Sequence, residues 1–137
     1  MLNRHGDYLP AEVLRVLKPG GIFLTQQVGA ENDRELVELL LDPVPPLPFP
    51  RQYLSIARED LEAVGFSILD SQEAFRPIRF WDVGALVWFA RIIPWEFPGF
   101  SVEKCREGLF KAQDILERNQ VIEGMTHRYF LAAEKVG

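Results

Sequence analysis

Two neighbouring side chains near the start of the sequence have the chemistry of a catalytic or binding pair. His5 titrates near neutral pH, so its imidazole could take up a proton as a general base or orient a bound molecule. Arg4 could bind a carboxylate through its guanidinium group. A solvated histidine and an ordinary surface arginine are the alternatives, and the residue types alone leave both choices open.

Two adjacent amides, Gln26 and Gln27, follow a short apolar run that has the pattern of a buried strand. Ligands of open α/β sheets bind outside the carboxyl ends of the strands. One of the two amides is therefore expected to face a substrate. The other possibility is an amide that only satisfies hydrogen bonds at the end of the strand.

Aromatic side chains are concentrated in one later segment of the chain. They could wall a substrate pocket, with Trp81 as a substrate contact, or they could form hydrophobic core. The cluster comprises Phe80, Trp81, Trp88, Phe89, Trp95 and Phe97.

The remaining histidine and the single cysteine are expected to be structural. His127 lies inside a predicted strand, and Cys105 lies on the apolar face of a predicted helix, where it favours core over nucleophile. Two histidines and one cysteine that are far apart in sequence do not have the spacing of a zinc site, so we expect no metal.

The elements that must position these residues alternate between helix and strand. Leucine and valine recur at helical spacing over residues 10–17, and the Lys-Pro-Gly-Gly sequence at 18–21 must end that helix. Residues 22–28 then predict a strand. Asn32 and Glu35 resemble a capping box for a second helix.

Later segments continue the alternation. Five prolines in residues 42–50 predict a stiff loop, which is a lid or connector or else a ligand of the PxxP type. A capped helix over 55–64, a strand from Phe66 with extended chain to about residue 80, and an apolar segment over 83–93 follow. Ser101 is expected to cap the last long helix, and residues 125–133 to form a final strand. These elements predict one α/β domain over residues 1–137.

Composition narrows the function classes. The formal net charge of -5 gives no electrostatic footprint for nucleic acid. One cysteine excludes an internal disulfide and fits a reducing cytoplasm, where we expect the protein to be located. The apolar run at 83–93 is shorter than the roughly 20 residues of a membrane-spanning helix, so no membrane partner is expected.

The segment over residues 10–29 resembles the class I S-adenosylmethionine-dependent methyltransferases. In that family a helix that ends in a Leu-Lys-Pro-Gly-Gly turn leads into the fifth strand of a seven-stranded sheet, as residues 17–24 do here. The helix at 55–64, the strand from Phe66 and the closing strand also fit. The resemblance implies the C-terminal half of a Rossmann-like fold, with about three strands in the order fifth, seventh, sixth and the last antiparallel.

The same resemblance assigns roles to residues. Asn3, Arg4 and His5 would end the fourth strand, close to the reacting methyl group, with Asn3 near the cofactor and His5 catalytic. Residues 80–100 would be a substrate-side insertion. The implied activity is methyl transfer from S-adenosylmethionine to a small molecule by direct displacement, helped mainly by proximity and alignment.

The glycine-rich cofactor loop and the acidic ribose-binding residue of that family have no counterpart in this sequence. We therefore expect a truncated enzyme that is inactive alone. An open edge on the fifth strand would lead it to pair with another copy or with a complementing N-terminal half. The alternative is a non-catalytic binding or assembly module that has lost the cofactor site.

Overall fold

The computed structural model describes all 137 residues and has an α/β fold of four strands and five helices, which confirms the predicted class. The strands are β1 (Leu2–Arg4), β2 (Ile22–Val28), β3 (Phe66–Phe80) and β4 (Ile122–Lys135). The helices are α1 (Pro10–Val16), α2 (Arg34–Leu40), α3 (Leu54–Val64), α4 (Val83–Ile92) and α5 (Arg106–Asn119). None of the helices has the length and apolarity that crossing a membrane requires.

The strands form one mixed sheet in the order β1-β2-β4-β3. Strand β2 pairs antiparallel with β4, so the last strand lies between β2 and β3 as the order fifth, seventh, sixth predicts. The sheet has one strand more than the three expected, because residues 2–4 pair parallel with β2 from Leu2 opposite Leu24 to Arg4 opposite Gln26. The edge of β2 is therefore covered along these residues, and β1 is the edge strand.

Two compact units divide the chain. The first comprises Met1–Ala30, Phe49–Phe75 and His127–Gly137, and the second comprises Glu31–Pro48 and Arg76–Thr126. Strands β3 and β4 contribute residues to both units. The proline-rich residues 42–50 form neither helix nor strand, as predicted, and the extended chain expected up to residue 80 is part of β3.

The core of the first unit lies between the sheet and helices α1 and α3. Phe23 is fully buried and meets the ring of Tyr8 edge to face, with 4.9 Å between the ring centroids. Leu61 of α3 and Leu131 of β4 are also fully buried in this cluster. Side chains alternate across a strand, so Thr25 and Gln27 lie on the same face of β2 as Phe23.

The second unit has its own core, to which α2, α4 and α5 all contribute. Its fully buried members include Leu36, Leu86 and Ala112. Cys105 is buried in the same cluster, which confirms that it is a core residue.

Three predicted helix caps are wrong in detail. Asp33, with a φ of 59°, precedes α2 in place of Asn32, whose amide donates to Glu96 Oε1 at 2.7 Å. Tyr53 precedes α3 and makes no side-chain cap hydrogen bond, and the Leu54 amide at the start of α3 donates to Glu73 Oε2 at 3.2 Å. Ser101 accepts a hydrogen bond from the Lys104 amide in a turn before α5, and α5 itself begins at Arg106.

Candidate functional site

Gln27 connects the carboxyl ends of β1 and β2. Its side chain is buried, and Nε2 lies 3.0 Å from Asn3 Oδ1, 2.9 Å from the Gly6 carbonyl oxygen and 3.0 Å from Thr25 Oγ1. An amide nitrogen has two protons for these three acceptors, and the Thr25 hydroxyl in turn donates to Asn3 Oδ1 at 3.1 Å. Of the two roles considered for this amide, substrate contact or hydrogen bonding at the strand end, the second describes Gln27, because its side chain is buried and bonded within the chain.

Asn3, the residue expected near the cofactor, takes part in the same network. Its side-chain oxygen accepts hydrogen bonds from Thr25 and Gln27. This places Asn3 at the carboxyl end of the sheet, and its side chain holds β1 against β2.

The other expected site residues lie on the exposed side of the same strand ends. Arg4 and Gln26 are paired across β1 and β2, and both are exposed. His5 follows directly, donates its backbone N–H to the Gln26 carbonyl at 2.8 Å, and has a φ of 58°. The structure thus brings Arg4, His5 and Gln26 together.

The electrostatic surroundings of His5 keep its imidazole neutral. Partial burial, and then the positive charges of Arg4 and Arg128, hold the pKa of His5 below its ordinary value of 6.5. At neutral pH the ring therefore has a nitrogen that can accept a proton.

Trp81 belongs to the second unit, whereas the residues above belong to the first. It is 68% exposed, and Trp88 and Trp95 are 63% and 55% exposed. Phe80 and Phe97 are buried. Of the two alternatives for the aromatic segment, hydrophobic core therefore describes these two phenylalanines and does not describe the three tryptophans.

A cavity of about 220 Å³ opens beside the turn that follows β1, and most of its lining was not recognised from the sequence. It is lined by Gly6, Asp7, Tyr8, Pro10, Arg51, Gln52, Ala57, Asp60 and Tyr129. The position of residues 6–8 directly after a strand could have indicated a site. Nothing in the sequence around Arg51 and Gln52 indicates that this loop reaches the same place.

Two tyrosines, Tyr8 and Tyr129, belong to the polar part of the cavity lining. The Tyr129 hydroxyl donates to Gln52 Oε1 at 2.6 Å. Burial raises the pKa of Tyr129 well above its usual value, and the neighbouring Tyr8, Glu73 and Asp60 raise it further. Burial, followed by the charge of Asp60, also raises the pKa of Tyr8. Both hydroxyls stay protonated at neutral pH.

His127 is a structural residue, as the sequence predicts. It is fully buried, Nε2 lies 2.9 Å from Glu73 Oε2, and its ring stacks on Phe75 with 4.2 Å between centroids. Gly29 lies directly against the imidazole, because a Cβ atom at that position would overlap the ring.

No cluster of three or more histidine, cysteine or acidic side chains in the chain is placed to hold a metal ion.

The residues present do not form a complete site for S-adenosylmethionine. The connections from β1 to α1 and from β2 to α2 contain one glycine each, Gly6 and Gly29. The space beside Gly29 is filled by His127, and a Cβ atom on Gly6 would lie 3.0 Å from Asn3 Nδ2. Neither loop offers the open backbone that a glycine-rich phosphate or nucleotide loop presents.

No protein-family model and no curated protein sequence matches this chain. Solved structures do match. A proposed methyltransferase of Bacillus halodurans superposes with a TM-score of 0.58 at 18% identity, over 99% of this chain and 63% of that one. The YcgJ protein of Bacillus subtilis superposes with a TM-score of 0.50 at 20% identity, over 93% of this chain and 56% of that one.

This chain spans less than two thirds of the length of either structure. That extent is consistent with the C-terminal half that the sequence predicts. At these identities the likeness identifies the fold and leaves the chemistry open. The chain thus has the fold of part of a class I S-adenosylmethionine-dependent methyltransferase, which confirms the resemblance seen in its sequence.

Proposed function

We propose that the chain is the acceptor-side part of an S-adenosylmethionine-dependent methyltransferase that acts on a small molecule. The observation that carries the proposal is the cavity of about 220 Å³ beside the turn that follows the carboxyl end of β1. In open α/β sheets ligands bind at this edge. The shared fold supports methyl transfer as the general activity.

In this proposal the exposed residues at the strand ends act on the acceptor. His5 takes a proton from an acceptor that must lose one, since its imidazole is neutral at pH 7. Arg4 and Gln26 are exposed beside His5 and contact the acceptor in this proposal. Gln27 positions the turn that carries His5, because its Nε2 donates to the Gly6 carbonyl oxygen, and Asn3 Oδ1 accepts from the same amide.

We further propose that the cofactor is held mainly by a second polypeptide, either a complementing N-terminal half or another copy of the chain. The packing at Gly6 and Gly29 supports this, because Asn3 and His127 lie against these glycines and neither loop presents open backbone to a cofactor. The chain alone is then inactive. The same proposal includes a cytoplasmic location, because a chain with one cysteine and no internal disulfide fits a reducing compartment.

Calorimetric titration with S-adenosylmethionine tests the proposal. We expect no saturable binding by the chain alone. Saturable binding is expected after addition of a glycine-rich N-terminal half of a class I methyltransferase, supplied as a separate polypeptide. In that mixture His5→Ala should lower the rate of methyl transfer by about 100-fold or more, which is the usual size of a general-base effect.

A matched control for this experiment is Arg118→Ala, on the exposed surface of the second unit, which should leave the rate unchanged. Failure of every mixture to bind the cofactor would contradict the proposal. Unchanged turnover in the His5→Ala variant would remove His5 from the chemistry while leaving the assignment of the enzyme class intact.

A second candidate function is a non-catalytic assembly module. The exposure of all three tryptophans in and beside α4 favours it, since exposed tryptophans are typical of protein interfaces. The two functions differ in one measurement: an assembly module needs no S-adenosylmethionine, with or without a complementing half.

A further inference from the structure

The cavity beside β1 has a definite charge. Two carboxylates, Asp7 and Asp60, and one guanidinium, Arg51, belong to its lining, so its ionised groups sum to one negative charge. Arg51 forms an ion pair with Asp60, since its Nη2 lies 3.3 Å from Asp60 Oδ2. Asp7 forms no ion pair or hydrogen bond within the chain. The unneutralised charge of the lining is therefore the Asp7 carboxylate.

Aromatic rings form part of the same wall. The ring of Tyr8 is held edge to face on Phe23, and Tyr129 is 3% exposed. The Tyr8 hydroxyl has no hydrogen-bond partner within the chain. Aromatic faces attract organic cations, and a nearby carboxylate strengthens that attraction. Both features disfavour an anion.

The charge of Asp60 also acts on these rings. After burial, which is the larger cause for both groups, the charge of Asp60 raises the pKa of Tyr8 and adds a smaller increase to the pKa of Tyr129. A carboxylate that disfavours ionisation of a tyrosine creates a negative potential at that point, and the same potential stabilises a cation.

We propose that this cavity binds a small organic ammonium ion, and that this amine is the methyl acceptor of the enzyme. Before transfer the ammonium group gives one proton to His5, the base proposed above; the nitrogen lone pair then forms the bond to the methyl carbon as the bond from that carbon to the sulfonium sulfur breaks, and S-adenosylhomocysteine leaves. Asp7 supplies the counter-charge, Tyr8 and Tyr129 supply aromatic contact, and the Tyr8 hydroxyl accepts a hydrogen bond from the ammonium group. The volume of about 220 Å³ lies below the roughly 300–1,000 Å³ of pockets for drug-sized ligands, so the amine is small. The acceptor part of this inference rests on the function proposed above.

A series of isosteric probes tests the binding site without any cofactor. n-Propylammonium, n-propanol and propionate have similar shapes and differ in charge. Their binding to the full chain is followed through the ring resonances of Tyr8 and Tyr129. We expect saturable binding of n-propylammonium, at least about fivefold weaker binding of n-propanol, and none of propionate. Equal binding of all three probes, or preferred binding of propionate, would overturn the proposal.

Substitutions locate the site. Asp7→Asn should weaken n-propylammonium binding by about three- to fivefold, as expected for a partly solvated ion pair, and leave n-propanol binding unchanged. Glu59→Gln is the matched control, because Glu59 is an exposed carboxylate on α3 that is not part of the cavity lining. Circular dichroism verifies that both variants are folded. Equal losses in the two variants would overturn the proposal, since the binding would then reflect overall charge.

The outcomes separate this inference from the proposed enzyme class. Ammonium binding without methyl transfer in any reconstituted mixture would overturn the methyltransferase function and the acceptor assignment, and would leave the cation site standing. Methyl transfer to an alcohol or carboxylate, without ammonium binding, would overturn the cation site and support the enzyme class.

Discussion

At the scale of single residues, His5 combines an unusual backbone with a perturbed side chain. A φ of 58° lies in the left-handed region, which few residues other than glycine adopt. The backbone N–H bonded to Gln26 holds this conformation at the end of β1. The lowered pKa then follows from what surrounds the imidazole, chiefly its partial burial.

The imidazole pKa of His5 can be measured by NMR titration of the full chain. We expect a value below 6.5, and Arg4→Gln should raise it towards 6.5 without restoring it fully, because burial is the larger cause. Arg118→Gln, remote in sequence and in the other unit, should not change it. A pKa at or above 6.5 in the unsubstituted chain would contradict this account.

The same shift sets the sign of a pH effect on stability. The folded-state pKa of His5 lies below its unfolded value of 6.5, so the unfolded chain binds the proton more strongly. The contribution of His5 to stability is therefore fully present above pH 6.5 and is lost as the pH falls through the folded-state pKa. The His5→Ala variant should show a smaller loss of stability over that interval in urea unfolding.

At the scale of elements, one glycine sets the distance between α2 and α5. A Cβ atom at Gly108 of α5 would lie 2.6 Å from the Leu39 carbonyl oxygen and 2.7 Å from Leu40 Cα of α2. These atoms belong to the backbone, so they cannot move aside as the end of a flexible side chain can. The absence of a side chain at Gly108 therefore allows the two helices to approach closely.

Gly108→Ala should destabilise the protein by about 1–3 kcal/mol, because overpacking outweighs the roughly 1 kcal/mol that alanine gains over glycine inside a helix. Chemical unfolding measures this change. Gly84→Ala is the matched control in α4, where the nearest atom to an added Cβ is the end of the Asp82 side chain at 3.1 Å. Its free energy of unfolding should change by less than about 1 kcal/mol. Equal effects of the two substitutions would show that helix packing is not the cause.

At the scale of the whole molecule, apolar side chains stay exposed on and near the edge of the sheet in the first unit. Leu2 of β1 is 80% exposed, Leu9 is 70% exposed and Ile22 of β2 is 43% exposed. Strand β1 is an edge strand of three residues, and such an edge can pair with another chain. The proposed partner, a complementing half or a second copy, would cover this region.

We expect the purified chain to self-associate with increasing concentration, and light scattering over a wide concentration range measures this. Leu2→Lys should reduce the association, because a charge on an edge strand opposes pairing and its apolar area is lost. Phe110→Lys is a comparable control, since Phe110 is 65% exposed on α5, which is not part of the sheet. A monodisperse monomer at every concentration would contradict the expectation.

The sequence by itself determined the α/β class, the bounds of β2 and the end of α3 at Gly65, and its resemblance to a known family implied the order of three strands. These features depend on local patterns: apolar runs, proline and glycine stops, and a turn motif that resembles a known family. The same resemblance implied that Arg4 and His5 end a strand, and the apolar run before Gln26 placed that residue at the end of another. The parallel pairing of β1 with β2 in the structure brings the three residues together.

Only the tertiary structure decided which of the candidate site residues are exposed and can contact a ligand. Gln26 and Gln27 are the same residue type at adjacent positions, yet the pleat of β2 exposes the first and buries the second in a hydrogen-bond network. The cavity brings residues 6–8 together with Gln52 and Tyr129, which are separated by long stretches of chain. The exposure of Trp88 likewise depends on how α4 packs, since an apolar sequence alone does not say which side of a helix meets the core.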